Sequence, residues 1–453
     1  MSRVFILSAN TTLEPYPVYP LGMAVIASAL SQEGHEVRQF DFLASGCSEE
    51  RLRTELEDFA PDFVCFSLRN IDNVDSLSSE NAWYLAKARE QIGLLREVTQ
   101  APIILGGPGF SIMPEEILAY FEADYGVIGE GESVLCQLLT ALNSGLPSPQ
   151  ILSGHTDRLC GAEMAAPLFE QDLVEFYLAQ SGMLNLQTKR GCPFRCTYCT
   201  YPTLEGNRFR PRPPKDVVDD LEQAIRDFGV EKVFFTDSIF NDPAGLYLEL
   251  VEELLRRDLS IHWSAFFRPQ GLGREELSLL KRSGLYAMEL GTDAACDTTL
   301  QGIKKGFSFS EVLKVNQACL EAEIPCAHFC MFGGPGETLA TVEEGLGNIE
   351  QLGAAVVFAF SGIRILSGTE LHSQAIKDGV IDAEASLLKP AYYFSPQVDP
   401  EAMNAMIFKA FQGRRDRIFP PSAGQEKLAV MQRFGFRGLL WDKLISFPQK
   451  VMV

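Results

Sequence analysis

Short apolar segments alternate with helical patterns twice along this 453-residue chain, and this alternation constrains the fold more than any other feature. Parallel strands need long crossover connections, usually helices, whereas antiparallel strands can be joined by tight turns. The chain is therefore predicted to be an α/β protein. In residues 1–145 we expect a doubly wound, Rossmann-like parallel sheet with strands at 4–9, 37–42, 63–68, 103–105 and 125–128.

The second alternation, in residues 181–368, predicts an open (β/α)6 partial TIM barrel. Residues 146–180 begin with a stretch rich in Gly, Pro and small residues and are predicted to be a linker, and residues 369–453 a small mixed, mostly helical region. In both kinds of sheet, ligands bind beyond the carboxyl ends of the strands. The barrel strands are expected at 184–188, 232–236, 261–267, 286–290, 327–332 and 356–365.

Acidic residues outnumber basic ones by 60 to 39, which gives a formal net charge of −21. Nucleic-acid binding is therefore not expected, because phosphate backbones bind basic surfaces. No stretch of about 18 or more uncharged apolar residues occurs, so no membrane span is expected. The apolar residues 1–7 are too few for a signal peptide and predict a first strand, and the expected location is the cytoplasm.

Three of the eleven cysteines, Cys192, Cys196 and Cys199, form a C-x3-C-x2-C pattern directly after a predicted strand. Thiolates at this spacing can bind three irons of a cubane and leave the fourth iron open for catalysis. The alternative is a structural zinc site, which needs four ligands. The remaining cysteines are scattered, and most candidates for a fourth ligand fall in or beside predicted helices and strands. The pattern therefore favours a 4Fe–4S cluster.

With Tyr198 directly before the third cysteine, the motif resembles the signature of the radical S-adenosylmethionine (SAM) superfamily. The resemblance implies that the open iron binds SAM and that reductive cleavage of SAM yields a 5′-deoxyadenosyl radical. It also implies an external electron donor such as flavodoxin or ferredoxin.

The same resemblance implies that residues at the ends of the barrel strands bind SAM. Asp237 is expected to meet the SAM amino group, Arg268 the carboxylate, and the segment that begins at Glu289 the ribose. The complete predicted set is Tyr198, Asp237, Ser238, Arg268, Glu289, Gly291, Asp293, Gly333, Gly334, Arg364 and Leu366.

The first domain resembles the cobalamin-binding domain that precedes the barrel in some radical SAM enzymes. The matching segments are 20–22, 34–37, 106–107 and 126–132, where glycines permit close approach of a corrin ring to the backbone. The alternative is a Rossmann domain that has lost its ligand. The predicted cobalamin contacts are Asn10, Gly22, Ser67, Arg69, Asn70, Gly106, Gly107, Gly129, Glu130, Gly131 and Glu132.

One departure from many cobalamin domains concerns the cobalt ligand. Such domains supply a histidine from a D-x-H-x-x-G loop after the first strand, but the loop at 10–22 contains no histidine. Any cobalt is therefore expected to lack a histidine ligand. Arg69 is expected to face its empty lower axial position, where a cation would discourage further ligation; the alternative is a surface arginine that pairs with Asp72 or Asp75.

Together the resemblances predict a cobalamin-dependent radical SAM enzyme that methylates an unactivated carbon of a small-molecule or lipid-like substrate. Cobalamin-assisted cyclisation, oxidation or rearrangement fits the same residues and stays open. A tRNA methylthiotransferase is disfavoured by the negative charge and by the lack of a second three-cysteine set, and a corrinoid sensor would not need the cysteine motif. The apolar stripe at 434–447 is interpreted as packing on the barrel, with membrane contact as the alternative.

Overall fold

The computed structural model describes residues 1–13, 16–78, 83–156, 158–445 and 447. In the first domain, short strands with buried apolar side chains alternate with helices, as the sequence predicts. The strands are β1 (Arg3–Ser8), β2 (Glu36–Asp41), β3 (Phe63–Ser67), β4 (Ile103–Gly106), β5 (Tyr125–Ile128) and β6 (Ile151–Ser153). The helices are α1 (Leu21–Gln32), α2 (Glu49–Phe59), α3 (Tyr84–Val98), α4 (Pro108–Ile112), α5 (Pro114–Phe121) and α6 (Glu132–Asn143).

These strands form one parallel sheet in the order β2-β1-β3-β4-β5-β6. The chain moves outward in one direction from β1 to β2 and in the other from β3 onward. The order therefore reverses between β1 and β3, which is where doubly wound sheets form a ligand-binding crevice. The predicted doubly wound sheet is confirmed.

The sheet has one strand more than predicted. β6 lies inside the segment predicted as a linker and pairs with β5, Gly126 facing Ile151. A strand of three residues at the sheet edge, surrounded by Gly, Pro and Ser, is too short to give a readable alternation.

The second domain is a parallel sheet in the order β17-β14-β13-β12-β11-β10-β7, wrapped by helices. Two antiparallel pairs, β8 with β9 and β15 with β16, lie outside it. The strands are β7 (Leu184–Leu186), β8 (Lys189–Arg190), β9 (Arg210–Pro211), β10 (Lys232–Phe235), β11 (His262–Phe267), β12 (Met288–Asp293), β13 (Cys326–Phe332), β14 (Ala355–Ser361), β15 (Ile363–Arg364), β16 (Tyr392–Tyr393) and β17 (Arg417–Ile418). The helices are α7 (Gln171–Ser181), α8 (Tyr201–Leu204), α9 (Pro214–Phe228), α10 (Tyr247–Arg257), α11 (Arg274–Arg282), α12 (Asp297–Gly302), α13 (Phe309–Ala322), α14 (Leu339–Glu350), α15 (Glu370–Lys377), α16 (Pro400–Phe411) and α17 (Pro421–Arg433).

The partial barrel is confirmed, with two differences from the predicted strands. The predicted last strand, 356–365, is divided at Gly362 into β14 and β15. A short seventh strand, β17, comes from the C-terminal region and pairs with β14. Every pairing within the seven-stranded sheet is parallel, so the carboxyl ends of its strands share one edge.

The C-terminal segment closes the barrel from the side of the strand N-termini. Gly438 N donates to Ser181 O, just before β7, and the 3-10 helix Trp441–Leu444 packs against β13 and β14. Leu439, Leu440 and Trp441 are buried, as predicted for a stripe that packs on the barrel, whereas Phe434 and Phe436 are exposed. Within the described residues, no helix combines the length and apolar character that crossing a bilayer requires.

Candidate active site between the two sheets

The carboxyl ends of the two sheets face each other. Asp72, in the loop after β3, pairs with Arg364 of β15, and Glu132 after β5 pairs with Arg190 of β8. Ser76 Oγ, in the same loop as Asp72, donates to Ser361 O at the end of β14. The edges at which both kinds of sheet bind ligands therefore lie against each other.

The loop that carries the three cysteines is held by hydrogen bonds along its length. Gly191 has φ +91°, and a Cβ there would lie 2.0 Å from the carbonyl oxygen of Arg208. Gly191 N donates to Glu205 Oε2 at 3.0 Å, and Gly191 O accepts from Ser238 Oγ at 2.9 Å. Only glycine fits this turn, which leads directly into Cys192. The predicted SAM contact Ser238 thus also supports the cysteine loop.

Cys192, Cys196 and Cys199 are all free thiols. Burial raises the pKa of Cys192 and raises that of Cys199 to about 12, so metal binding has to displace their protons. The described part of the chain contains no group of three His, Cys, Asp or Glu side chains gathered around one ion position. A cubane does not need such a group, because its cysteines bind different irons. The free thiols on a rigid loop fit a 4Fe–4S cluster.

Two positive side chains lie beside this loop: Arg268, which follows β11, and Lys305, which follows α12. Lys305 Nζ forms a buried ion pair with Asp293, and Tyr198 OH donates to the same carboxylate at 2.5 Å. The guanidinium of Arg268 stacks on Phe194 at 4.0 Å, and its buried Nη1 has no hydrogen-bond partner in the described structure. The unpartnered Nη1 fits a carboxylate such as that of SAM.

Asp237 lies at the predicted strand end but has a different set of partners from the one predicted. Its carboxylate is fully buried and accepts from Thr188 N at 2.7 Å, from Lys189 N at 3.2 Å and from Thr188 Oγ1. Burial raises the pKa of Asp237 despite these bonds. In this structure, Asp237 anchors the start of the cysteine loop, and its oxygens are not free for the SAM amino group.

Glu289 is the second residue of β12 and so lies near the opposite end of that strand from the expected ribose site. By strand alternation it points into the barrel, opposite to Met288 and Leu290, and its Oε1 accepts from Trp441 Nε1 at 3.0 Å. Burial raises the pKa of Glu289 to about 7, although the bond from Trp441 opposes the shift. Glu289 therefore connects the barrel wall to the C-terminal segment.

Replacing Glu289 by Gln is expected to change how stability depends on pH. The pKa of Glu289 is about 7 in the folded state and 4.5 in the unfolded state. At pH values between these two, the folded state therefore binds one proton more than the unfolded state. The free energy of unfolding then falls as pH rises through this window, by on the order of 3 kcal/mol. Urea unfolding of both proteins across the window should show a shallower pH slope for Glu289→Gln; parallel curves would contradict the assignment.

The other predicted SAM residues lie at the ends of β12, β13 and β15, with one clear difference. Gly291 and Asp293 end β12, Gly333 and Gly334 follow β13, and Leu366 follows β15. Arg364 was expected to contact SAM, but its Nε donates to Asp72 Oδ2 at 2.7 Å and its Nη atoms donate to backbone carbonyls of 365 and 387. The Arg364 side chain therefore joins the two domains, and a contact of its backbone with SAM stays a prediction.

The crevice between β1 and β3 contains buried polar atoms without partners. They include Asn10 Nδ2 after β1, Arg69 Nε after β3 and, at the neighbouring end of β2, Asp41 Oδ2, counted over the described residues. Asp72 is occupied by Arg364, and Asp75 Oδ2 accepts from Ser422 N at 3.3 Å. The alternative that Arg69 is a surface residue paired with Asp72 or Asp75 is therefore wrong. Unpartnered donors and acceptors at this point fit a ligand rich in amide groups, as a corrin is.

The predicted glycine loops border the same crevice. Gly107 has φ +91°, and a Cβ there would lie 2.7 Å from Leu68 O, so this turn packs directly on the loop that carries Arg69. Gly22, in the first turn of α1, is exposed and has open space around it. The remaining predicted residues of these loops are Ser67 at the end of β3, Asn70 on the surface, Gly106 at the end of β4, and Gly129 and Gly131 after β5.

Glu130 and Glu132 were predicted to contact cobalamin, but they form ion pairs with the barrel. Glu132 Oε1 lies 2.6 Å from Arg190 Nη2, and Glu130 pairs with Arg210 and, at 3.5 Å, with Arg190. The side chains are largely buried, so these pairs fix the cobalamin-like domain against the residue that precedes Gly191. Sequence reasoning missed Arg190 and Arg210, although their charge complements the Gly-Glu-Gly-Glu turn.

Comparisons with known proteins agree with this geometry. The family model "B12 binding domain" matches residues 11–139, and the "Radical SAM superfamily" model matches residues 186–346. The chain is 26% identical to tryptophan 2-C-methyltransferase of Streptomyces laurentii, over 77% of this chain and 71% of that protein. It is 22% identical to cytidylyl-2-hydroxyethylphosphonate methyltransferase of Streptomyces wedmorensis, over 92% and 91%.

A solved structure shows the same fold over nearly the whole chain. It is the radical SAM methyltransferase TsrM from Kitasatospora setae with cobalamin and a [4Fe-4S] cluster bound, at a TM-score of 0.84 and 24% identity, covering 98% of this chain and 97% of that one. The two family models together span well over half of the chain, in the order that the sequence predicts. The predicted cofactor set of 4Fe–4S cluster, SAM and cobalamin agrees with both models. This chain carries a cobalamin-binding domain followed by a radical SAM domain, and it is homologous to cobalamin-dependent radical SAM methyltransferases.

Proposed function

We propose that this protein methylates an unactivated carbon of a small-molecule or lipid-like substrate by a radical mechanism. The observation that carries the proposal is the opposed arrangement of the two sheets, because the cysteine loop and the β1–β3 crevice both lie at the edges that face each other. The ion pair between Glu132 and Arg190 holds that arrangement. When bound, the cluster supplies the electron that cleaves SAM and the cobalamin carries the methyl group.

Residues of this chain have distinct tasks in the proposal. Cys192, Cys196 and Cys199 hold the cluster, and the free Nη1 of Arg268 binds the SAM carboxylate. Tyr198 is fixed by Asp293 against the cysteine loop. Apart from Glu289, the barrel interior below is apolar and aromatic, which favours an apolar portion of the substrate; the aromatic residues include Phe234, Phe266, Phe329, Phe358 and Phe360.

Trideuteromethyl-SAM tests the proposal even while the substrate is unidentified. The reconstituted protein is incubated anaerobically with this SAM, cobalamin and a low-potential reductant, and the bound cobalamin is analysed by mass spectrometry. We expect the trideuteromethyl label to be found on cobalamin. It should then be found on a compound from an added metabolite or lipid extract. Formation of 5′-deoxyadenosine with no label on cobalamin or on any product would favour cyclisation, oxidation or rearrangement.

Arg69 would border the corrin in the β1–β3 crevice, and its positive charge would discourage a further ligand to cobalt. Its Nε is buried without a partner in the described structure, so the side chain is not held elsewhere by an ion pair. Replacing Arg69 by Leu is expected to admit water to cobalt, which the absorption and electron paramagnetic resonance spectra of bound cob(II)alamin would show. Arg69→Lys is the control that keeps a cation. Identical spectra for all three proteins would contradict this role.

A further inference from the structure

An open cavity of about 540 Å³ lies on the outer side of the cysteine loop. Four arginines line it, and we call them the arginine face: Arg158, Arg195, Arg208 and Arg210. Pro193 and Phe194, between the first two cysteines of the motif, complete its inner wall. None of the residues proposed to hold the cluster, SAM or cobalamin lines this cavity.

Two members of the arginine face carry positive charge without an ion-pair partner, on an otherwise acidic protein. Arg195 and Arg208 are exposed, and neither forms an ion pair with any residue that the structure describes. The nearby carboxylates are turned inward, since Glu130 binds Arg210 and Glu205 binds Gly191 N. Against a net charge of −21, a local cluster of this sign selects for an acidic partner.

The arginine face also lies on a short path from solvent to the cluster site. Pro193, Phe194 and Arg195 are the residues between Cys192 and Cys196, so a molecule docked on them is separated from the cluster by the loop alone. The ring of Phe194 touches Arg268 on one side and lies 6.4 Å from Phe209 on the other. The opposite approach, over the barrel mouth, is covered by the first domain through the Asp72–Arg364 and Glu132–Arg190 pairs.

We propose that the arginine face docks a small acidic one-electron carrier of the flavodoxin or ferredoxin class. This inference rests on the proposed function, which requires a reduced cluster. One electron leaves the reduced carrier, which is oxidised by one electron, and enters the cluster at Cys192, Cys196 and Cys199, which is reduced by one electron. No covalent bond forms or breaks in this step, and the carrier's carboxylates pair with Arg195 and Arg208.

Charge reversal separates docking from cluster chemistry. We compare the wild type with two variants of the arginine face, Arg195→Glu/Arg208→Glu and Arg195→Lys/Arg208→Lys. The control variant, Arg282→Glu/Lys314→Glu, makes the same change in charge as the first, on exposed residues of α11 and α13 outside the cavity. Cluster reduction is followed anaerobically by stopped-flow absorbance, with flavodoxin hydroquinone or with reduced methyl viologen, a small cation. Binding of flavodoxin to cluster-free protein is measured by isothermal titration calorimetry.

The expected result is a loss of at least about tenfold in the flavodoxin rate and affinity for Arg195→Glu/Arg208→Glu only, with the viologen rate unchanged or higher. The lysine variant should keep most of the wild-type rate. An unchanged flavodoxin rate, or an equal loss with both reductants or in the control, would overturn the docking surface. Failure of the wild type to assemble a cluster would instead contradict the proposed function.

Discussion

Replacing Cys196 by Ala is expected to remove the iron–sulfur cluster and with it all cleavage of SAM. Cys196 is the central thiol of the motif and is half-buried on a loop whose backbone is fixed by Glu205 and Ser238. A rigid loop cannot bring another thiol to the vacated position. Iron should fall from about four atoms per chain to near zero after anaerobic reconstitution.

The matched control for this change is Cys47→Ala. Cys47 is exposed, carries a free thiol and lies in the first domain, outside the cysteine loop. It should retain full iron and sulfide content and produce 5′-deoxyadenosine at the wild-type rate. A Cys196→Ala protein that kept both the cluster spectrum and SAM cleavage would contradict the assignment of this loop.

Replacing Asp72 by Ala is expected to lower the free energy of unfolding by about 3–5 kcal/mol, because it leaves a buried charge without its partner. The Asp72 and Arg364 side chains are 1% and 3% exposed, and their atoms lie 2.7 Å apart. The remaining partners of Arg364 are backbone carbonyls, which cannot neutralise its charge. The effect is measured by urea denaturation of cofactor-free protein.

Two controls separate the buried pair from a general effect of charge removal. Glu321→Ala breaks the exposed pair with Arg274, whose side chain is 84% exposed, and should cost less than about 1 kcal/mol. Adding Arg364→Met to Asp72→Ala should recover part of the lost stability, because it removes the unpaired cation. A cost for Asp72→Ala no larger than that for Glu321→Ala would show that the pair does not hold the domains together.

Much of the fold follows from sequence pattern, because strand and helix periodicity is local. The order of the five predicted strands and their crossover helices, the partial barrel and the cysteine loop all rest on residues within a few turns of one another. The edge strand β6 and the C-terminal strand β17 were not predicted, because segments of three and two residues are too short to show a hydrophobic period.

The roles of charged residues at strand ends were harder to predict, for a physical reason. The position of a residue along a strand places it near the carboxyl edge of a sheet or in the barrel interior, as for Arg364, Glu130, Glu132 and Glu289. Which residue it then pairs with depends on segments far away in the chain. Arg364 pairs with a residue 292 positions earlier, and Glu289 bonds to one 152 positions later. Local patterns carry no information about such partners, so each of these residues was assigned to a cofactor instead of to its protein neighbour.

Iron, sulfide and cobalt content after anaerobic reconstitution, together with the ultraviolet–visible spectrum, decides whether one chain carries both metal cofactors. We predict about four irons and one cobalt per chain, the content of one cubane and one corrin. Iron without cobalt would contradict the cobalamin assignment and reduce the first domain to a structural or substrate-binding role. Cobalt without iron would contradict the assignment of Cys192, Cys196 and Cys199.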